Sequence, residues 1–330
     1  MKLLPVILIL IILFFIGHGI ILFFKPININ ETLVTIKSGE TALSIAQKLY
    51  DKKIVRNKNW FYLFVKLTGV SKDLQYGKYL FFGKYSLIEV VEKIKTGEIY
   101  LKKITIPEGL TVKKTCRRLS YLGMGDYSKF MSFANDSTFA KKMTGFSISS
   151  LEGFLYPETY HFPEDISEEY ILKHLVRRFF IQTAGLDFKP NENIDFYDTI
   201  ILASIVEKEA HYNDEKPIIA SVYLNRIEYG LKLQADPTIG YILEKSNQSR
   251  DKIYYRDLLI ESPYNTYKYQ GLTPTPICSP SANSIEAVLN PIDSDYFFFF
   301  ANSNSRRHIF SQTYSQHLSK QRELKRSNVR

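Results

Sequence analysis

Thr199-Ile200-Ile201-Leu202-Ala203-Ser204-Ile205-Val206-Glu207-Lys208-Glu209-Ala210 carries eight uncharged residues and then three charged ones. Ile201, Leu202, Ile205 and Val206 recur at the steps of an amphipathic helix. Glu209 falls on that stripe, four residues after Ile205 and three after Val206, while Glu207 points to the opposite face and Lys208 to the flank. A carboxyl set against apolar neighbours loses hydration of its charged form, which raises its pKa toward the range a general acid needs. Periodicity leaves two readings open: a proton donor, or a helix-end carboxylate paired with a nearby Lys or Arg.

Downstream, residues 218–227 read as a second helix, with Ile219, Val222, Tyr223 and Ile227 inward and Asn225-Arg226 near its end. Leu233-Gln234-Ala235-Asp236-Pro237-Thr238 then reads as a polar turn, and Ser262-Pro263-Tyr264-Asn265-Thr266-Tyr267 as a second loop. Both offer amides, hydroxyls and rings of the kind that hydrogen-bond and stack on sugars, although each alone is ordinary loop material. Phe297 to Phe300, four phenylalanines in a row, predict a strand buried on both faces, and residues 308–310 a second short strand. His308 and His317 match no compact zinc spacing and have no Cys cluster beside them, so they are expected to pack or hydrogen-bond near the terminal strand, with no metal. The basic run from Lys320 onward is expected to be a solvated tail.

Upstream, Leu151-Glu152-Gly153-Phe154-Leu155-Tyr156-Pro157-Glu158-Thr159-Tyr160 is an aromatic block broken by Gly and Pro, which predicts a packed loop with short extended pieces. Residues 112–122 look helical and basic, after a strand around Ile104 and Ile106. Before these, Val34 and Ile36 alternate with Thr35 and Lys37 ahead of Ser38-Gly39. A helix should follow over Ala42, Ile45, Ala46, Leu49 and Tyr50, with Thr41 near its cap. Helical residues 59–67, a strand-like run 76–82 and a helix over 87–95 ending near Gly97 complete this region. Residues 3–24 contain no charge and, at about 1.5 Å per residue, can cross a hydrocarbon core about 30 Å thick. The run exceeds a signal-peptide core and lacks a small-x-small cleavage site, so retention as a transmembrane helix is expected.

The chain has 330 residues, 45% hydrophobic content and a formal charge of +9, enough for a sizeable core and suited to anionic partners. Charge alone speaks for nucleic acid, but no zinc knuckle or RNP-like stretch accompanies it and the apolar span argues against it. Lys208 as a Schiff-base lysine for pyridoxal phosphate is disfavoured, because it lies off the stripe and no phosphate-cradling glycine loop accompanies it. Cys116 and Cys278 lie far apart in sequence and are expected to be free and buried.

The ordered succession of these stretches resembles the MltG/YceG-type endolytic murein transglycosylases. The resemblance takes in the apolar span, the LysM-like opening at residues 36–46, Glu152-Gly153-Phe154-Leu155, Ala203 through Glu209, and Val222 to Arg226. It continues through residues 233–238, Tyr264-Asn265-Thr266-Tyr267 and Gly271-Leu272, and ends on His308-Ile309-Phe310 with Thr313 and His317. Residues 272–281 depart from it, since the family has a tighter Pro-Pro-Gly-Pro-Ile run there. The resemblance implies that Glu209 is catalytic, and that Glu152, Asn225, Gln234, Asp236, Thr238, Tyr264, Asn265 and Thr266 position substrate. It implies no cofactor, peptidoglycan glycan strands as substrate, and penicillin-binding synthases as partners. The competing functions are a membrane-anchored glycan-binding adaptor and a muramidase-type hydrolase.

The expected fold is α+β: a transmembrane anchor with a short cytoplasmic end (residues 1–25), a small LysM-like subdomain (26–101), a connecting region (102–195) and a mixed α/β catalytic domain (196–330). The last is placed on the outer side of the cytoplasmic membrane.

Overall fold

The computed structural model describes residues 23–188, 194–250, 252–302 and 304–327. The expected transmembrane span therefore lies outside the described residues, apart from its last two. Among the described residues no helix is long and apolar enough to cross a membrane. They divide into two compact units, one reaching to Lys103 and including 161–165, the other made of 104–160 and 166 onward.

In the smaller unit, strand β1 (Ile27–Ile36) pairs antiparallel with β2 (Gly77–Tyr85), Val34 opposite Tyr79, with a register shift between Ile29 and Thr32. Helices α1 (Ala42–Asp51) and α2 (Lys58–Leu67) lie between the strands in sequence, and α3 (Leu87–Thr96) follows. Each helix begins at a side chain that satisfies an orphan N–H: Thr41 accepts from Ser44, Asn57 from Asn59, and Ser86 forms a capping box with Glu89. Their apolar faces meet the sheet in a core of Val34, Ile36, Leu49, Phe61, Val65, Tyr79, Phe81 and Ile94.

Strand β3 (Lys102–Thr105) pairs with β4 (Thr159–Phe162) where the chain passes from one unit to the other. In the larger unit, α4 (Val112–Tyr121), α5 (Tyr127–Ala134), α6 (Ser137–Thr144) and α7 (Glu168–Thr183) pack in succession. These helices and the buried Glu152 lie within the expected connecting region, 102–195. The loop at 151–157 is buried throughout, and its Gly153 holds φ +91°. A Cβ there would sit 2.5 Å from the Pro276 ring and 3.3 Å from Ile200. Gly153→Ala is expected to cost about 2–3 kcal/mol, combining a left-handed backbone with overpacking, and chemical denaturation would show it.

At the centre lies α8 (Phe196–Glu209), begun by a capping box of Asp195 and Asp198 and packed against α9 (Lys216–Glu228), α10 (Asp236–Lys245) and α11 (Ala282–Leu289). Every residue from Thr199 to Val206 is buried. The expectation of a single apolar stripe is thus corrected, because a helix surrounded by three others needs small or apolar residues on all sides. Ser204 fits there because its hydroxyl donates to Ile201 O (2.7 Å) and accepts from Ile277 N–H (2.9 Å).

The phenylalanine run forms β5 (Phe298–Ala301), antiparallel to β6 (His308–Ser311) with Phe299 opposite Phe310. These rings are half-buried rather than enclosed on both faces. The cause is a ribbon of only two strands: Phe298 meets Tyr314 and His317 of α12 (Tyr314–Ser327), while Phe299 meets Tyr223 of α9. The terminal helix is accordingly not a free tail, since His317 packs on the ribbon and the Lys320 amine donates to Phe310 O at 2.7 Å. Cys116 and Cys278 are buried free thiols.

Candidate active site

Glu209 is the last residue of α8, where the helix dipole presents its negative end and disfavours a second negative charge. It borders an open cleft of about 390 Å³. Among the described residues no donor lies within hydrogen-bonding distance of its carboxyl. Burial and the neighbouring Asp236 charge push its pKa up to about 8, opposed only by the Arg226 charge. Its surface is half-buried because the cleft side stays open.

Two residues earlier the environment is reversed. Burial raises Glu207, but the Lys216 charge and bonds from Ser281 and Ser284 outweigh it and hold the carboxyl below its ordinary value. One oxygen, Oε2, accepts from Lys216 Nζ (3.2 Å), Ser281 N–H (2.9 Å), Ser281 Oγ (2.6 Å) and Ser284 Oγ (2.6 Å). Ser281 is the N-cap of α11, whose positive dipole end adds to the attraction. Neighbouring carboxyls on one helix end are thus driven apart, one fixed as an anion and the other kept protonated near neutral pH.

Asp236 opens α10 on the same cleft, exposed, and accepts from Tyr267 OH at 2.5 Å. Glu152 does not line the cleft. It is buried behind the wall, where Oε1 accepts from Val112 N–H (2.9 Å) and Oε2 from Tyr241 OH (3.2 Å), and burial lifts its pKa to about 8. Tyr241 itself faces the cleft, so Glu152 ties α10 to the start of α4.

The other expected substrate residues brace the walls. Thr266 accepts from Ala235 N–H (3.0 Å), lies 3.0 Å from the Thr238 hydroxyl, and accepts Gln234 N–H on its carbonyl (3.0 Å). Asn265 donates to Leu258 O (3.0 Å) and Ile260 O (2.8 Å), and Asn225 to Ser294 O (2.7 Å) and Tyr296 O (3.0 Å). Tyr264 shares a hydrogen bond with Thr275 (2.9 Å), and its ring lies 5.1 Å from that of Tyr241. The Gln234 side chain is exposed.

Thr111, Tyr241, Glu244 and Arg250 also line the cleft, where no sequence motif marks them, and His308, expected to pack or hydrogen-bond near the terminal strand, lines it too. Thr111 and Lys114 are held by Glu244, and Arg250 by Asp257. Arg226 is buried beside Glu209 with neutral partners, donating to Phe297 O (2.7 Å) and Leu233 O (2.6 Å) over the Phe298 ring. His308 faces the cleft while its Nδ1 lies 3.0 Å from Glu215 Oε2. His317, in contrast, is enclosed by Phe298, Phe300 and Tyr314. Among the described residues no His, Cys, Asp and Glu group is arranged to hold a metal ion.

An endolytic murein transglycosylase of Bacillus subtilis is 31% identical over 308 residues, covering 88% of this chain and 82% of that protein. One from Streptococcus pneumoniae is 26% identical, and the match takes in 88% of this chain but 58% of the relative. A crystal structure of a yceG-like protein from Listeria monocytogenes superposes with a TM-score of 0.61 at 31% identity, covering 88% of this chain and 99% of that one. The sequence model of the YceG-like family matches residues 34–323, a span that takes in every residue lining the cleft. On that match this chain belongs to the YceG-like family.

Proposed function

We propose that this chain is an endolytic lytic transglycosylase that cuts peptidoglycan glycan strands between N-acetylmuramic acid and N-acetylglucosamine, with Glu209 as acid and then base. The observation that carries the reading is a carboxyl with a pKa of about 8, open to a cleft and, among the described residues, without a hydrogen-bond donor. Such a group holds its proton at neutral pH and can deliver it to the bridging oxygen as the glycosidic bond breaks through an oxocarbenium-like transition state. The resulting carboxylate takes the proton of the muramic C6 hydroxyl. That oxygen closes on its own anomeric carbon, giving a 1,6-anhydro end with no water consumed and Glu209 reprotonated. Because the nucleophile already belongs to the bound sugar, its high effective concentration stands in for a second carboxylate. The names of the B. subtilis and S. pneumoniae relatives support this chemistry.

In this reading residues 3–24 anchor the chain in the cytoplasmic membrane, with the cleft outside, where strands emerge from their synthases. The unit around β1 and β2 holds glycan. The uncharged run and the strand–helix–helix–strand order support those two assignments respectively.

Asp236 on the same cleft favours a second reading, a hydrolase in which it activates water. Mass spectrometry of digested peptidoglycan separates the two. Anhydro-muramic ends made by the parent and absent with Glu209→Gln are expected, whereas reducing ends would replace the proposal with the muramidase. No Glu209-dependent cleavage would leave a glycan-binding adaptor.

A further inference from the structure

We infer that His308 is a second substrate-contacting residue of the cleft, its ring aimed by Glu215 so that Nε2 accepts a hydrogen bond from a sugar hydroxyl or acetamido N–H. The inference rests on the saccharide substrate proposed above. His308 begins β6, opposite Ala301 of β5, and both residues line the cleft that Glu209 borders. Its side chain is 5% exposed and that of Glu215 8%, so this pair is largely shielded from water.

Glu215 grips one residue at two points. Its Oε1 accepts the His308 backbone N–H at 2.9 Å, and its Oε2 lies 3.0 Å from the ring Nδ1. A carboxylate can only accept, so in the neutral ring the proton sits on Nδ1 and the lone pair on Nε2. The ring also stands edge-on to Phe299, with centroids 5.3 Å apart at 86°, which removes its freedom to rotate. Arg307 completes the support from the outer side, 2.8 Å from Asp214 and 3.8 Å from Glu215.

What remains is Nε2. Among the described residues no protein group bonds it, and it is not one of the sealed polar atoms lacking a partner, as His317 Nδ1 is. An acceptor with a fixed direction, desolvated flanks and an open front is the counterpart of the hydroxyl and acetamido donors of an N-acetylated sugar. Glu215 does not face the cleft itself and acts through His308, so it is a positioning residue.

The test uses the full chain in detergent micelles with purified glycan strands. His308→Ala is expected to lower kcat/KM about 10–100-fold, the scale of one lost directional contact to a reacting substrate, in protein that still melts cooperatively above the assay temperature, although at a lower temperature because Glu215 loses its ring partner. Glu215→Gln should lower it less, and adding Glu215→Gln to His308→Ala should lower it no further, since the first acts only through the second. Independent, additive losses, or unaltered kinetics in His308→Ala, would overturn the inference. A second measurement needs no turnover. In the Glu209→Gln variant, the ¹⁵N resonance of His308 Nε2 should shift when a GlcNAc–MurNAc tetrasaccharide is added, and a stationary resonance in a saturated complex would refute the contact. A parent that binds the tetrasaccharide but cuts no strands would sink the transglycosylase reading and leave this one to the resonance.

Discussion

Glu209→Gln is expected to lower kcat by about 10²–10⁴-fold, the range over which a positioned acid–base group contributes, while binding of glycan strands changes little. Gln keeps the shape of the side chain and cannot give or take the proton. In the parent, kcat/KM should fall as the pH rises through about 8, because the acid is then lost. A pH–rate profile from 6 to 10 checks this, and an alkaline fall elsewhere would assign the proton to another group. The same shift has a stability consequence. The folded-state pKa of about 8 lies above the ordinary 4.5, so between those values the native state holds a proton that the unfolded chain releases. Stability therefore declines as pH rises across that window. The Gln variant escapes the decline and should be the more stable protein at pH 8, by up to a few kcal/mol, reduced by the water on the cleft side.

Lys216→Met is expected to destabilise the larger unit by about 3–5 kcal/mol, the cost of stranding a buried carboxylate without its cation. Lys216 and Glu207 have side chains only 3% and 6% exposed, so water cannot replace the lost charge. For a unit of this size the melting temperature should drop by roughly 6–20 °C. The pH dependence has the opposite sign to that of Glu209. Glu207 is held below its ordinary value, so its contribution is complete above that value and disappears as pH falls through the lowered one. Lys216→Met should thus differ most from the parent near neutrality and converge with it in acid. A double variant, Lys216→Met with Glu207→Leu, should recover only part of the loss, because Ser281 and Ser284 would keep donors with nothing to meet.

The elements with one clear period were legible. Helices near 42–50, 59–67 and 87–95 and the strand near 76–82 stand within about one to three residues of their expected limits, since each buries one face and shows the other to water, and the helix near 218–227 does so as well although none of its residues up to Ile227 is exposed. Two failures have physical causes. The polar stretch around Asp236-Pro237 reads as a turn, yet it opens α10, because a proline in the first helical turn gives up an N–H that would be unpaired anyway. Tyr241 and Glu244, both on α10, were missed with it. The second concerns carboxyls: spacing placed Glu207 and Glu209 on different faces, but not the cation and serine hydroxyls that come from residues 216, 281 and 284. Glu152 shows the same limit, since its partners Val112 and Tyr241 lie 40 and 89 residues away. A hydrogen bond was one of the two expectations for His308, but its partner Glu215 is remote in sequence by 93 residues and no spacing names it.

The complete burial of Thr199 to Val206 matters before the chain has folded. Eight uncharged residues rich in β-branched side chains, with no proline, form the kind of segment that stacks into cross-β aggregates when exposed. Asp195 and Asp198 on one side, and Glu207, Lys208 and Glu209 on the other, are then gatekeepers that oppose such stacking during synthesis. The charges that divide the proton between two glutamates in the native state thereby also help keep the nascent helix soluble. Variants that loosen the α8 contacts, Lys216→Met first among them, should accordingly be lost to insoluble material in cells more steeply than their melting temperatures alone would suggest.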